Sequence, residues 1–278
     1  MTNFSNFVFF GTDEFAVTIL DELDKQKCYP NLIVTTPGPS PVKIWAKKNS
    51  IPFLEPSSLR PDLETSLRSG LGLVKLFLVA SYGRIIPATI FNLPKHGTLN
   101  IHPSLLPEYR GATPIQTAIL DGKTESGVTL MLMDDHLDHG PIVAQSPLLP
   151  IARHTFPAAR YALAQVGAKL FLDNAPLWVV HKLEARPQDH KLATYTQKIK
   201  KEDGLIDLTA DPQFNYRKFL AYNGWPGVYF FTEHNGKKIR VIITGARIID
   251  NKFAIERVKP EGKKDMLYAD FQRGFKTP

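Results

Sequence analysis

The 278-residue sequence carries a single cysteine, Cys28, so no disulfide can form within it and no cluster of thiolates can hold zinc. No apolar run approaches the ~20 residues that cross a bilayer, and no membrane partner is expected. The first residues, M-T-N-F-S-N-F, lack the basic start and apolar core of a secretory signal, so the expected compartment is the cytoplasm. No G-x-G-x-x-G follows the first apolar run, which disfavours a dinucleotide, and G-x-x-x-x-G-K-[ST] is missing, which excludes a P-loop. The elbow G-x-S-x-G is missing too, and Ser104 is followed by Leu-Leu-Pro, so a serine nucleophile is a weak reading. The chain shows no internal repeat and no low-complexity segment.

Charge is present but uneven. Residues 1–180 hold 15 Lys+Arg against 15 Asp+Glu, whereas residues 181–278 hold 19 against 12, so the whole net charge of +7 sits in the last third. A basic module joined to a neutral one points to a polyanionic partner, although a solvated basic surface explains charge alone equally well.

Apolar runs alternate with amphipathic segments. Phe7–Gly11, Asn31–Thr35, Pro52–Leu54, Leu73–Ala80 and Thr98–His102 read as strands. Glu14–Lys25, Val42–Lys48, Ser57–Ser69, Thr113–Leu120 and Phe156–Val179 read as helices, the first with Phe15, Ile19 and Leu23 on one face and Thr12 or Asp13 as its cap. Gly127–Met133 and Ile142–Leu149 read as further strands. The expected fold is α/β, a doubly wound, mostly parallel sheet over residues 1–180. A polar linker follows over 181–200. Residues 201–278 are expected to form a small basic β-barrel-like domain, with strands at Val228–Phe231, Ile239–Thr244 and Phe253–Val258 and a hairpin turn at Asn235-Gly236.

The residue types that suit acyl chemistry crowd between Leu99 and Pro141. Strand alternation puts Asn100 and His102 on one face at the end of a buried strand, where open α/β sheets place their sites. Downstream lies M-D-D-H-L-D-H-G-P with Asp138. An amide, an imidazole and a carboxylate together suit attack on a carbonyl through a tetrahedral intermediate. Each alone has a plain explanation: a strand histidine is often structural, and Asn100 could serve a turn. Two histidines and three carboxylates in one consecutive run are a poor geometric fit for a metal, and none is expected.

The stretch N-I-H-P-S-L-L-P-E-Y-R-G-A-T-P-I-Q, with D-x-x-x-D-x-G downstream, strongly resembles the folate-dependent formyltransferases. F-F-G-T-D-E-F-A, S-P-V-K and A-S-Y-G-R-I-I-P support the likeness, as do K-I-K-K-E-D-G-L-I-D, Y-N-G-W-P-G and P-E-G-K-K-D-M. It covers nearly the whole chain and leans towards members that act on initiator methionyl-tRNA. The resemblance implies Asn100, His102 and Asp138 as the catalytic trio and 10-formyltetrahydrofolate as the co-substrate. It implies a folate pocket from Tyr82, Gly83, Ile85, Ile86, Pro87, Ser104, Leu105, Leu106, Pro107, Asp134 and Asp135. Gly11, Phe15, Arg110 and Gly111 are expected to face the acceptor. Lys198, Lys200, Lys201, Lys237, Lys238, Arg240, Lys263 and Lys264 are candidates to meet the tRNA backbone. A monomer is expected.

The chain departs from the family pattern at named places. T-T-P-G-P-S-P-V-K has no basic residue before Lys43, where the family carries a longer basic loop. A central segment is missing between Ile249 and Phe253, so the barrel is expected to be reduced or partly open. Asp13 stands where the family favours Pro, and L-V-K-L-F-L-V-A lacks an acidic residue before its strand. These differences keep open an N-formyltransferase acting on an amino-sugar nucleotide, or a tRNA-binding relative without activity.

Overall fold

Five consecutive buried residues, Phe7–Gly11, form β1, and a strand buried on both faces belongs in the middle of a parallel sheet. The computed structural model describes residues 6–57, Leu67, 74–234 and 236–274. The chain divides into two units. One comprises Met1–Pro114, Ser126–Leu149 and Arg160–Thr196; the other comprises Ile115–Glu125, Pro150–Ala159 and Gln197–Pro278.

In the first unit, β1 leads into α1 (Glu14–Lys25), β2 (Leu32–Val34), α2 (Pro41–Lys48) and β3 (Phe53–Leu54). The chain then continues with β4 (Leu76–Ala80), α3 (Ala88–Phe91) and β5 (Thr98–His102). Beyond β6 (Glu125–Ser126) come β7 (Thr129–Leu132), β8 (Ile142–Gln145) and β9 (Leu149–Pro150). Apart from Ser57 and Leu67, the helix expected over Ser57–Ser69 lies outside the described residues.

Among the described residues the sheet has seven strands in the order β3-β2-β1-β4-β5-β7-β8. The pairs from β3 through β5 are parallel, and β5–β7 and β7–β8 are antiparallel. The order reverses between β1 and β4, the kind of switch point beside which such sheets open a crevice. Gly11 ends β1 there. A Cβ on it would lie 2.5 Å from the Phe9 ring and 3.0 Å from the Ala80 carbonyl oxygen, so the close strand approach requires glycine.

The core on one face gathers Val8, Phe10, Val34, Leu67, Phe77, Val79, Tyr82, Ile86, Ile90 and Phe91. The long helix α5 (Phe156–Val179) comes close enough to β5 that a Cβ at Gly167 would lie 2.6 Å from Ile101 Cγ2. Its Phe171 ring sits 5.3 Å from that of Phe7. Helix starts follow capping rules. Asp13 Oδ1 accepts from the amides of Phe15 and Ala16, and Ser40 caps α2 just ahead of Pro41.

The second unit holds most of α4 (Pro114–Leu120), α6 (Pro212–Ala221), α7 (Tyr268–Gly274) and an antiparallel sheet. Its strands β10 (Val228–His234), β11 (Lys237–Ile249), β12 (Lys252–Pro260) and β13 (Met266–Leu267) lie in sequence order. α6 packs across β11 and β12. The place of the missing segment is a two-residue turn: Asp250 and Asn251 both adopt positive φ, 46° and 57°, as a primed hairpin turn requires. His234 pairs with Lys237 across the other hairpin, where Gly236 has φ 70°. The described strands form an open meander rather than a closed barrel, with β10 at one edge and β13 at the other.

Candidate active site

β5 delivers Asn100 and His102 from the middle of the sheet, paired through Val79↔Asn100 to β4 and through Asn100↔Met131 and His102↔Thr129 to β7. His102 is buried. Its Nε2 lies 3.0 Å from the Tyr109 carbonyl oxygen. A carbonyl can only accept, so Nε2 carries the proton and Nδ1 is left for other work. Nδ1 faces Asp138 Oδ2 at 3.7 Å.

Asp138 sits in the loop between β7 and β8 with φ 47°, a left-handed conformation that turns its carboxylate back towards β5. Oδ2 accepts a hydrogen bond from the Gly111 amide at 2.7 Å. The loop is held from behind by Gln188, whose Nε2 donates to the carbonyls of Asp138 at 3.0 Å and Gly140 at 2.7 Å. Gln188 Oε1 accepts from Arg110 Nη2 at 2.6 Å and Nε at 3.2 Å.

Arg110 is 1% exposed. Its remaining donors go to Tyr195 Oη at 3.2 Å and His190 Nδ1 at 2.8 Å. Among the described residues no carboxylate pairs with it, so neutral acceptors and the Tyr195 ring, 5.8 Å away, offset the desolvation of its charge. His190 is held below the ordinary imidazole range, first by desolvation, then by the His139 ring and the Arg110 charge.

The other expected residues surround this centre unevenly. Ser104 Oγ donates to the Glu108 carbonyl at 2.7 Å and shapes the turn. Leu106 is buried, its N–H bonded to Thr129 Oγ1 and its carbonyl to Gln145, and its peptide bond to Pro107 is cis. Leu105 and Pro107 are half-buried. Tyr82 and Ile86 are buried, Gly83 has φ 77°, Ile85 is 92% exposed, and Pro87 precedes α3. Burial raises the Tyr82 phenol above its usual range. Met133 packs against both the cluster holding Tyr82 and Ile86 and the one holding Leu106, Met131 and Ile142. The two expected halves of the folate pocket therefore meet at the residue preceding Asp134.

Asp134 accepts from the His136 amide and bonds His139 Nδ1, while Asp135 is exposed. Phe15 is buried in the first turn of α1. Gly111, with φ 112°, lies against Thr196. In the second unit Lys198, Lys200, Lys201, Lys237, Lys238, Lys263 and Lys264 are all exposed. Lys238 Nζ lies 4.5 Å from the Phe231 ring centroid, and the Arg240 guanidinium 3.8 Å from that of Tyr229. Sequence reasoning missed Tyr109, which acts through its carbonyl, and Gln188, which lies in the stretch read as linker. Backbone roles and contacts across 50 residues leave no local pattern.

A profile of the formyl transferase family matches residues 5–174, and one of the formyl transferase C-terminal domain matches residues 198–254. The chain belongs to the formyl transferase family. It is 39% identical over 249 residues to the methionyl-tRNA formyltransferase of Chloroflexus aurantiacus, covering 84% of this chain and 78% of the relative. It is 35% identical over 300 residues to that of Thermus thermophilus, covering 96% and 95%. Its fold is similar to the N-formyltransferase of Helicobacter canadensis in complex with folinic acid and dTDP-3-aminofucose. That match has a TM-score of 0.62 at 19% identity, over 95% of this chain and 99% of the other. The protein is thus an enzyme of the formyl transferase family, and among the described residues no helix is long and apolar enough to cross a membrane.

Proposed function

We propose that the protein transfers a formyl group from 10-formyltetrahydrofolate to the α-amino group of methionine carried on initiator tRNA. The observation that carries this reading is the geometry of the trio: His102 Nδ1 opposite Asp138 Oδ2 at 3.7 Å, with Asn100 two residues back on the same strand face. Its acceptor is supported by the two relatives of that name. Its donor is supported by the family and by the folinic acid in the Helicobacter canadensis structure. The residues present fit a pteridine: apolar Leu106 and Ile86 belong to the two clusters against which Met133, next to Asp134, packs, and the buried Tyr82 hydroxyl has no hydrogen-bond partner of its own.

The folate supplies an activated formyl carbon on nitrogen. A free α-amino group has a pKa of about 7.7–8.0, so the attacking amine must first be neutral. When its lone pair reaches the formyl carbon, the carbonyl oxygen takes up negative charge. Asn100 and His102 stabilise the charge on that oxygen. Asp138, whose Oδ2 faces His102 Nδ1 at 3.7 Å, keeps the ring correctly turned. As the carbon–nitrogen bond to folate breaks, the proton lost by the amine balances the one gained by the departing nitrogen. No covalent enzyme intermediate is involved, and positioning of two bound substrates supplies much of the rate.

The exposed lysines of the second unit, with Arg240 and the aromatic rings beside it, suit an acceptor that is a polyanion with stackable bases. The deciding assay offers 10-formyltetrahydrofolate with either methionyl-tRNA or an amino-sugar nucleotide. Formyl methionyl-tRNA is expected. Transfer to the sugar alone would replace the acceptor, and tRNA binding with no transfer to either would leave only a binding role.

A further inference from the structure

The loop between β7 and β8 carries two histidines that formyl transfer does not use. Read along the chain, D-D-H-L-D-H-G is too consecutive to wrap an ion. Folded, it is not: the left-handed turn at Asp138 doubles the loop back on itself. One ligand atom each from Asp134, His136 and His139 then lies within 4.8 Å of the others, the one such grouping among the described residues. We propose that these three side chains bind a divalent first-row transition ion of the zinc type.

The donor set names the class of ion. Two imidazoles and one carboxylate suit zinc, cobalt or nickel, whereas magnesium and calcium want six or more oxygens. The geometry needs modest contraction, since zinc–nitrogen bonds of about 2.0–2.1 Å place tetrahedral ligands roughly 3.3 Å apart. His136 is exposed and can swing to supply it. The other two ligands are hydrogen-bonded neighbours that part by about 0.7 Å and give up the proton between them when an ion binds. His139 Nδ1 lies 2.6 Å from Asp134 Oδ2, and Asp134 Oδ1 is fixed by the His136 amide at 3.0 Å.

Support continues behind the ligands. The His139 ring stacks on His190, with centroids 3.9 Å apart and planes 5° apart, and Arg110 holds His190 by its Nδ1. That fixes the plane of one ligand, as the shell around a metal site must. Asp134 and His139 keep 33% and 35% of their side-chain surface, so an ion can enter and water can fill its open positions. Residues 134–140 contain three carboxylates and no Lys or Arg, so local charge favours a cation.

The test uses the full chain without a histidine tag, freed of metal by a chelator. It is titrated calorimetrically with Zn(II) and spectroscopically with Co(II), whose visible bands report nitrogen and oxygen ligands. One equivalent should bind. Affinity should fall at least about tenfold in His136→Ala and further in His136→Ala/His139→Gln, while excess Mg(II) does not compete. His136→Ala touches an exposed ring, so an unchanged thermal melt will show that the fold is intact. No saturable binding by the unaltered chain, or binding unchanged in the double variant, would overturn the proposal. Because binding is read directly, the result does not depend on which acceptor the enzyme formylates.

Discussion

The Gly111 amide donates to Asp138 Oδ2 at 2.7 Å, and that bond ties the loop after β5 to the loop after β7. Gly111 has φ 112°, a conformation closed to most side chains, and a Cβ there would lie 2.7 Å from Thr196 Oγ1. Gly111→Ala should therefore cost about 1–3 kcal/mol of stability and lower kcat by displacing the Asp138 carboxylate. Urea unfolding and steady-state formylation would measure both. An alanine variant with unchanged kcat would mean that the amide does not set the carboxylate.

Removing the carboxylate's charge is the sharper experiment. Asp138→Asn keeps the shape but leaves His102 Nδ1 without an anion at 3.7 Å. The formylation rate should fall about 10²–10⁴-fold, with a smaller change in KM for the tRNA, since the loss is felt where charge develops. His102→Ala should fall by a similar factor. The double variant should fall little further, because residues that act as a unit are not additive. A fully additive double variant would separate the two roles.

Gln188 allows stability and catalysis to be pulled apart. Gln188→Leu removes both donors to the Asp138 and Gly140 carbonyls and the acceptor that holds Arg110. Depriving the buried guanidinium of its closest acceptor should cost about 1–3 kcal/mol. Gln188→Glu restores an acceptor for Arg110 but not the donated bonds. It should recover much of the stability while kcat stays low, because the Asp138 loop is still unheld. Recovery of both together would make Gln188 a structural residue only.

Much of this was legible beforehand because the strands are apolar throughout and the helices carry clear stripes. Phe7–Gly11, Glu14–Lys25, Thr98–His102 and Phe156–Val179 have the bounds their patterns suggested. The second unit was harder. β11 runs beyond Ile239–Thr244 at both ends, back over exposed Lys237 and Lys238 and on past Gly245, where the pairing register shifts, to Ile249, while β12 starts at exposed Lys252. That Asn100 and His102 share one face at the end of β5 was readable from alternation. The bracket behind it was not, since Tyr109 contributes only a carbonyl and Gln188 arrives from 50 residues downstream of Asp138. The same limit made the Asp134–His139 run look unfit for an ion: one residue in a left-handed turn brings together what spacing keeps apart.

If the exposed lysines meet phosphates, the dependence on salt should show it. log(kcat/KM) for methionyl-tRNA should fall linearly with log[salt], because each neutralised phosphate releases a counterion. Replacing both Lys237 and Lys238 with alanine should weaken tRNA binding and shallow the slope by up to about one unit per lysine. Turnover at saturating tRNA should stay close to that of the unaltered enzyme, since both residues lie in the second unit. A slope unchanged by the variant would make this hairpin an idle basic surface.

His96 should govern part of the response to acid. Its pKa is lowered from 6.5, first by burial and then by His181, Lys95 and Lys75. Its Nδ1 is buried without a hydrogen-bond partner, and the His181 ring is 5.2 Å away. The folded state therefore resists a proton that the unfolded chain accepts near the ordinary value. Stability from this residue is fully present above about pH 6.5 and is lost as pH falls below it. Urea midpoints measured from about pH 7.5 down to about pH 5 should fall more steeply for the unaltered protein than for His96→Gln, which cannot take up the proton. Parallel curves for the two proteins would place the acid sensitivity elsewhere.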